Sequence, residues 1–335
     1  MKKINRVIIA TLPNGAFGNA GQTWKNIDFN SLKSKLESKN LDVIYCSVTA
    51  LLSLDLSFND IVIYTSSDEP NVRSYLKDVM YLVSKKSVIV PSYESLLAHE
   101  NKGFQQIYRD EYNFGGLCGG YSFDSDDLPK EYPFVYKKVT GAGSSGVSLV
   151  RSKKDYLKIR NRDFRVSFKR KVIKYLRKVK LSAIEYLLYS YRHKGFNLFV
   201  HQDFVDNLDH DFKVLVFSGR YYVLKRSVKE NDFRASGSGL LAFETAPLSV
   251  LNFSKEIFEV LDVPVASLDI AEQIEGCKLI EYQMLNFGPY ALNNSPGFYT
   301  FENDEWKFND GSSDLNFNYS LAYESYIMKI VNNDN

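Results

Sequence analysis

In the stretch SLDIAEQIEGCKLIEYQ, Asp269 is followed twelve positions later by Glu281, and Gln283 stands two residues further on. Residues two apart on a β-strand leave the same face, so Glu281 and Gln283 would project together. Hard oxygen donors on one sheet face suit a magnesium ion that shares the phosphates of a nucleotide. A strand carboxylate can equally be a salt-bridge partner, and the residue types alone leave both readings open. Two cations lie upstream, Arg226 in YYVLKRSV and Arg234 in NDFRASGSG. Each could form a surface ion pair, but a planar guanidinium also suits a carboxylate or a transferring phosphoryl group.

A glycine-rich stretch, KKVTGAGSSGVSLV, precedes these residues, and Gly141 to Gly146 satisfy the dinucleotide pattern G-x-G-x-x-G. That pattern binds a pyrophosphate only where a helix follows the glycines and an acidic residue stands about 20 positions on. Here Val147-Ser148-Leu149-Val150 alternates like a strand. A P-loop carries its lysine after the glycines, whereas Lys137 and Lys138 come before them. The element therefore reads as strand, turn, strand, with glycines that allow close backbone approach to a ligand. A strand lysine ahead of such a flap can meet one phosphate while flap N–H groups, Ser144 and Ser145 cover others.

Residues 6 to 10, 42 to 48, 60 to 66 and 87 to 91 are short β-branched runs, separated by FNSLKSKLESKN and NVRSYLKDVMYLVSKK, which have helical periodicity. Alternating strands and helices predict a parallel, doubly wound sheet over about the first 95 residues. Gly15 to Gln22, after the first strand, is either an anion-binding turn or an ordinary loop. YESLLAHENKGFQQIYRDEY reads as one helix carrying Lys102, and GGLCGG then breaks the pattern before the strand PFVYKK. Between Asp155 and Lys194 the chain is helical and strongly basic, with Val172, Leu176, Val179, Ala183 and Leu187 at three-to-four spacing. Its basic face is either simply solvated or meets a polyanionic or lipid-linked substrate. Beyond Gly195 the strands NLFVHQDFV, FKVLVFSG and RYYVLKRSV precede a helix, SKEIFEVLD, and two more strands carrying Asp269 and Glu281. Gly219-Arg220 reads as a hairpin turn, and Asp269 falls near a strand end.

With 42 basic and 40 acidic side chains among 335 residues, no global field argues for nucleic acid or membrane. Cys46, Cys118 and Cys277 are odd in number and far apart, which suits a reducing compartment, and the four histidines lack zinc-ligand spacing. The apolar run from Val7 to Leu12 is too short for a signal peptide or a membrane span, so a cytoplasmic location is expected.

The ordered set of Lys102, PFVYKKVTGAGSSGV, FVHQDFV, the Asp211–Lys213 pair in DFK, LKRSVKENDFRASGSG, and LDIA followed by IEYQ resembles the ATP-grasp superfamily. The likeness is greatest to its amino-acid-ligating branch, related to ribosomal protein S6 glutamate ligases, and runs through the tail LNFGPYALNNS. It implies an α/β and α+β fold with an N-terminal doubly wound domain at 1–93. A first lobe would span 94–200, with the flap and a basic helical insertion, and a second lobe with the metal-binding strands 201–335. By the resemblance ATP lies between the lobes, with Lys102 and Lys137 on phosphates and adenine. Gly143, Ser144, Ser145, Gly146 and Val147 close over the phosphates. Gln202, Asp203, Phe204 and Val205 meet the adenine edge, and Lys225 joins the nucleotide contacts. Asp269, Glu281 and Gln283 would hold one or two magnesium ions, or manganese, while Arg226 and Arg234 would face the acyl phosphate and γ-phosphate. Two departures stand out: Gln283 replaces the usual Asn, and Arg234-Ala235-Ser236 replaces an Arg-Ser-Asn run.

The implied reaction is amide formation through an acyl phosphate, joining an amino acid or small amine to a sugar acid, a nucleotide sugar or another small carboxylate in cell-surface polysaccharide assembly. Three alternatives stay open: a phosphotransferase acting on a small molecule, a ligase modifying a peptide, and a nucleotide-binding scaffold. No nucleic-acid partner and no integral membrane segment are expected; a homodimer is.

Overall fold

The apolar runs near the N-terminus become strands because each is β-branched, and the two central ones, at 6–11 and 60–64, are buried on both faces. The architecture comes from a computed structural model, which describes residues 4, 6–17, 27–28, 30–123, 128–141, 146–163, 168–192 and 198–333. Gly143, Ser144 and Ser145 of the expected flap lie outside these residues, as do 18–22 of the first glycine-containing loop and 164–167 and 193–194 of the basic region. The chain forms two compact units, Met1–Leu117 with Asn207–Asn335, and Cys118–Asp206.

In the first unit, β1 (Arg6–Thr11), α1 (Asn30–Glu37), β2 (Asp42–Ser47), a 3-10 turn (Val48–Ser53), β3 (Asp60–Tyr64), α2 (Pro70–Ser84) and β4 (Val88–Val90) follow in order. The four strands are parallel in the order β2-β1-β3-β4. Alternation sends Val7, Ile9, Ile61 and Ile63 into one core and Ile8, Ala10, Val62 and Tyr64 into another. Helix α2 fills the second core with Leu76, Val79, Met80 and Val83. It starts cleanly because Pro70 occupies its first turn and Glu69 accepts the Val72 N–H at 2.7 Å.

The single helix expected from Tyr93 onward is two, α3 (Tyr93–Ala98) and α4 (Lys102–Tyr112). Glu100 between them has a left-handed φ of 52°. Asn101 then caps α4, its Oδ1 accepting the Phe104 N–H at 3.1 Å, so Lys102 becomes the first residue of a helix rather than the middle of one.

The second unit comprises β5 (Gly119–Phe123), β6 (Phe134–Lys138), β7 (Val147–Val150), α5 (Lys153–Asp163), α6 (Phe168–Lys180), α7 (Ala183–Arg192) and β8 (Leu198–Asp203). Its antiparallel sheet runs β5-β8-β6-β7. Phe134, Tyr136, Val150 and Phe199 pack one face against Tyr156 and Ile159 of α5. Among the described residues the basic region holds three helices, α5, α6 and α7.

The chain returns to the first unit with β9 (His210–Phe217), β10 (Arg220–Ser227), β11 (Leu241–Ala242), α8 (Leu248–Leu261), β12 (Val265–Gln273) and β13 (Gly276–Gln283). Then come α9 (Tyr290–Asn294), β14 (Gly297–Glu302), β15 (Glu305–Asp310) and α10 (Leu315–Asn333). The antiparallel sheet runs β13-β12-β9-β10-β14-β15, with β11 beside β10. The β9–β10 turn is Ser218–Gly219, with φ of 47° and 77°, one position before the expected Gly219-Arg220. Two positive φ values match the right-handed twist of a tight hairpin. Leu215, Phe217, Tyr222, Leu224 and Val265 join the core shared with β1 and α10, while Val214, Val216, Val223, Ala266 and Leu268 pack on α8. Among the described residues, no helix is long and apolar enough to cross a membrane.

Candidate active site

The face of the second sheet that carries Leu215, Phe217, Leu224 and Val265 changes from apolar to charged along its strands. On β9, Asp211 and Lys213 continue the parity of Leu215 and Phe217, and Arg226 continues that of Leu224 on β10. Register places Asp211 opposite Arg226, and Lys213 opposite Asp269, which lies mid-strand in β12 rather than near its end. Asp269 is in turn opposite Glu281, and Gln283 opposite Ser267. One row across three strands therefore reads Lys213, Asp269, Glu281.

These charges neutralise one another. Arg226 donates from Nε and Nη2 to Asp211 at 2.6 and 2.7 Å, and its Nη2 also reaches Asp269 Oδ2 at 2.9 Å. Lys213 Nζ donates to the other Asp269 oxygen at 2.9 Å. Lys102, buried at the start of α4, sits 3.2 Å from Glu281 Oε1. Burial alone would raise the pKa of Asp269, but Arg226 and Lys213 together outweigh it and hold the carboxyl below its usual range. Burial works against the Arg226 charge too, and Asp269 and Asp211 more than restore it, so the guanidinium stays protonated.

Lys225, Arg234 and Gln283 lie outside that row. Lys225 leaves the opposite face of β10 from Arg226 and pairs with Glu244 at 2.9 Å, beside Ala242 of β11. Arg234 lies in the loop after β10 and binds Asp232 twice at 2.9 Å. Those bonds, helped by the Phe233 and Arg234 N–H groups, hold the Asp232 carboxyl at about 2. Gln283 shares the face of Glu281 and Asp269, one register step inward.

In the second unit, Lys137 is buried on β6, facing away from Tyr136, with Val147 and Val200 as register partners. Gln202 lies on the same sheet face, and Asp203 donates its N–H to the Cys118 carbonyl at 2.8 Å. Phe204 and Val205 follow the end of β8, and Val205 is buried. The glycine stretch joins β6 to β7: Lys138 N–H donates to the Gly146 carbonyl at 3.0 Å, and Gly146 has a φ of 78°. A Cβ there would stand 2.7 Å from Lys138 Cδ.

Lys213 and Asp211 were quoted in the sequence only as part of a motif, and their partnership with Asp269 and Arg226 was not readable there. A second missed cluster lies at the carboxyl edge of the parallel sheet. Asn286, three residues beyond Gln283, donates from Nδ2 to Asp68 at 3.3 Å, and His99 Nε2 is 3.9 Å from the same oxygen. His99 Nδ1, Asn286 Oδ1 and Ser66 Oγ are buried without a protein partner among the described residues. Burial first, then Arg73 and Lys77, pull the His99 pKa down from 6.5 to about 4, so the ring is neutral at neutral pH. Ligands of open α/β sheets bind at this kind of edge.

For a metal, the donor set offers two carboxylates and an amide. Among the described residues, no group of three His, Cys, Asp or Glu could cage an ion. A magnesium at Asp269, Glu281 and Gln283 would require Asp269 and Glu281 to exchange their arginine and lysine partners and would take its other ligands from phosphate and water.

No protein-family model matches the chain, and no curated protein matches it in sequence. Solved structures do. The D-cycloserine synthetase DcsG superposes over 95% of this chain and 98% of its own, with a TM-score of 0.53 and 11% identity. D-alanine–D-alanine ligase from Bacillus anthracis covers 99% of this chain and 100% of its own at 0.52 and 11% identity; its complex with ATP covers 99% of each at 0.53 and 10%. The protein thus has a mixed α/β architecture in which a parallel sheet accompanies antiparallel ones. That architecture is the ATP-grasp fold, shared with these two ligases at identities where only fold is conveyed.

Proposed function

We propose that the protein is an ATP-dependent carboxylate–amine ligase that forms an amide through an acyl phosphate. The observation that carries this reading is the row Lys213–Asp269–Glu281 with Lys102 and Arg226 beside it, on the charged end of a sheet in an ATP-grasp fold. Similar folds are found in a D-alanine–D-alanine ligase and a D-cycloserine synthetase, which supports the assignment of reaction class.

Lys102 and Lys137 would meet phosphates, the flap from Gly143 to Val147 would cover them, Gln202 to Val205 would meet the adenine edge, and Lys225 would join the nucleotide contacts. Asp269, Glu281 and Gln283 would hold magnesium, which screens phosphate charge when bound. In the first step a substrate carboxylate oxygen bonds to the γ-phosphorus as the bond to the ADP oxygen breaks. In the second the amine nitrogen bonds to the acyl carbon, phosphate leaves with the bonding pair, and the amine proton passes to water or phosphate. The protein contributes position and charge: Arg226, fixed by Asp211, and Arg234 would stabilise the charge that builds on the transferring group.

The small substrate would sit at the edge formed by Ser66, His99 and Asn286, whose buried polar atoms seek partners. We read the acid as a sugar acid or another small carboxylate and the amine as an amino acid or small amine, for cell-surface polysaccharide; the basic α6 supports a polyanionic or lipid-linked setting. The test is ADP release in a matrix of acids and amines. Release that requires one of each supports the ligase; a stable phosphorylated product formed without any amine overturns it.

A further inference from the structure

Helix α6 has the sequence FKRKVIKYLRKVK, seven of whose thirteen residues are Lys or Arg. Val172, Tyr175, Leu176 and Val179 fall three, one and three positions apart and so form one stripe along the helix. In α2 the equivalent stripe is core, with Leu76, Val79, Met80 and Val83 at most 3% exposed. In α6 it faces outward: Tyr175 is 68% and Val179 69% exposed, and Ile184 of α7 reaches 72%. Arg177, Lys178 and Lys180 are exposed with it.

The hairpin is nonetheless specifically built. Ser182 and Glu185 form a reciprocal capping box: Ser182 donates from N and Oγ to Glu185 at 2.9 and 2.7 Å, and the Glu185 N–H returns to Ser182 Oγ at 3.3 Å. The Arg177 guanidinium stacks 4.4 Å above the Tyr189 ring, tying α6 to α7.

We infer that the α6–α7 hairpin is a docking element for the surface of a bilayer rich in anionic phospholipid. A soluble polyanion would neutralise the cations but leave the apolar stripe in water. An apolar protein groove would accept the stripe but desolvate the lysines flanking it. The boundary between headgroups and acyl chains satisfies both at once, with the stripe a few ångströms into the acyl region and Lys and Arg among phosphates. Such docking is peripheral and reversible, and would bring the ligase to lipid-linked substrates.

The test is co-sedimentation of the full chain with vesicles of phosphatidylcholine alone and with about one-third phosphatidylglycerol. Binding should be at least about tenfold stronger to the anionic vesicles and weaken with salt. Tyr175→Ser with Val179→Ser, and separately Lys178→Gln with Lys180→Gln, should each lower it about tenfold. Thermal unfolding and ADP release should stay unchanged in both pairs, because neither touches the ATP-site residues. Equal binding to both vesicle types, or to neither, overturns the inference. So does loss of binding on charge removal alone, which marks a polyanion contact, or a dimer in light scattering that the serine pair dissolves, which marks an interface between copies.

Discussion

Replacing Arg226 with Met tests whether the charged end of the sheet is a single electrostatic unit. The guanidinium is 6% exposed and gives Asp211 both of its close contacts, at 2.6 and 2.7 Å, and Asp269 one of two. Met keeps the aliphatic stem, so the loss is mainly of charge, not of volume. Breaking a buried pair in this way costs about 3 to 5 kcal/mol. Asp269 keeps Lys213, so Asp211 is the group left uncompensated. Burial already holds the Asp211 carboxyl above its usual range in the parent, and loss of the Arg226 charge should raise it further. Folded Asp211 would bind a proton that the unfolded chain has released, so the defect should be greatest at neutral pH and shrink as pH falls toward the carboxylate range. Urea midpoints at pH 7 and pH 5, with unchanged slope, measure this. Adding Asp211→Asn removes the orphaned charge and should restore about 2 kcal/mol or more as a coupling energy. ADP release should stay about a hundredfold down in the rescued double variant, because the group proposed to face the transferring phosphoryl is still missing. A single variant within about 1 kcal/mol of the parent, or a double variant no more stable than the single, would refute the network. Turnover that returns with stability would make Arg226 a structural residue only.

Three further outcomes are expected. His99 titrates near 4 folded and near 6.5 unfolded, so the unfolded chain gains its proton first and stability falls as pH drops through that window. The loss is about 3 kcal/mol at most, and His99→Gln should flatten that part of the stability profile; an unaltered profile would show that the ring is not held neutral. Glu281→Gln removes the carboxylate 3.2 Å from Lys102 and should lower kcat about a hundredfold while raising the magnesium needed for half-maximal rate; a shift in neither ends its role as a ligand. Gly146→Val places a β-branched residue at a φ of 78° against Lys138, and should raise KM for ATP about tenfold with little change in melting temperature. Unchanged kinetics would remove Gly146 from the flap.

Much of the scaffold is local and was therefore readable. The β-branched runs near residues 6, 42, 60 and 87 became β1 to β4, and the glycine stretch joins two strands because Val147 to Val150 alternates. The error at residues 93 to 112 is local as well. Helical periodicity continues across His99, Glu100 and Asn101, and only the capping by Asn101 signals the restart that puts Lys102 on a helix N-terminus. The β14–β15 hairpin carried a similar signal in Asn303-Asp304, both with positive φ.

The sequence by itself determined which strands carry Asp211, Lys213, Arg226, Asp269 and Glu281, and, through alternation, that Asp211, Lys213, Arg226 and Asp269 share the parity of Leu215, Leu224 and Val265 on their strands. For Glu281 a register shift between Asp269 and Ile270 breaks that alternation. Only the tertiary structure decided which of these charges meet. Asp269 and Lys213 are 56 residues apart in the chain and Lys102 and Glu281 far more, so their pairing depends on antiparallel register and on how α4 is set against β13. The same holds for Lys225 and Arg226. Adjacent in sequence, they leave opposite faces of β10, and burial beside two carboxylates makes only Arg226 part of the cluster.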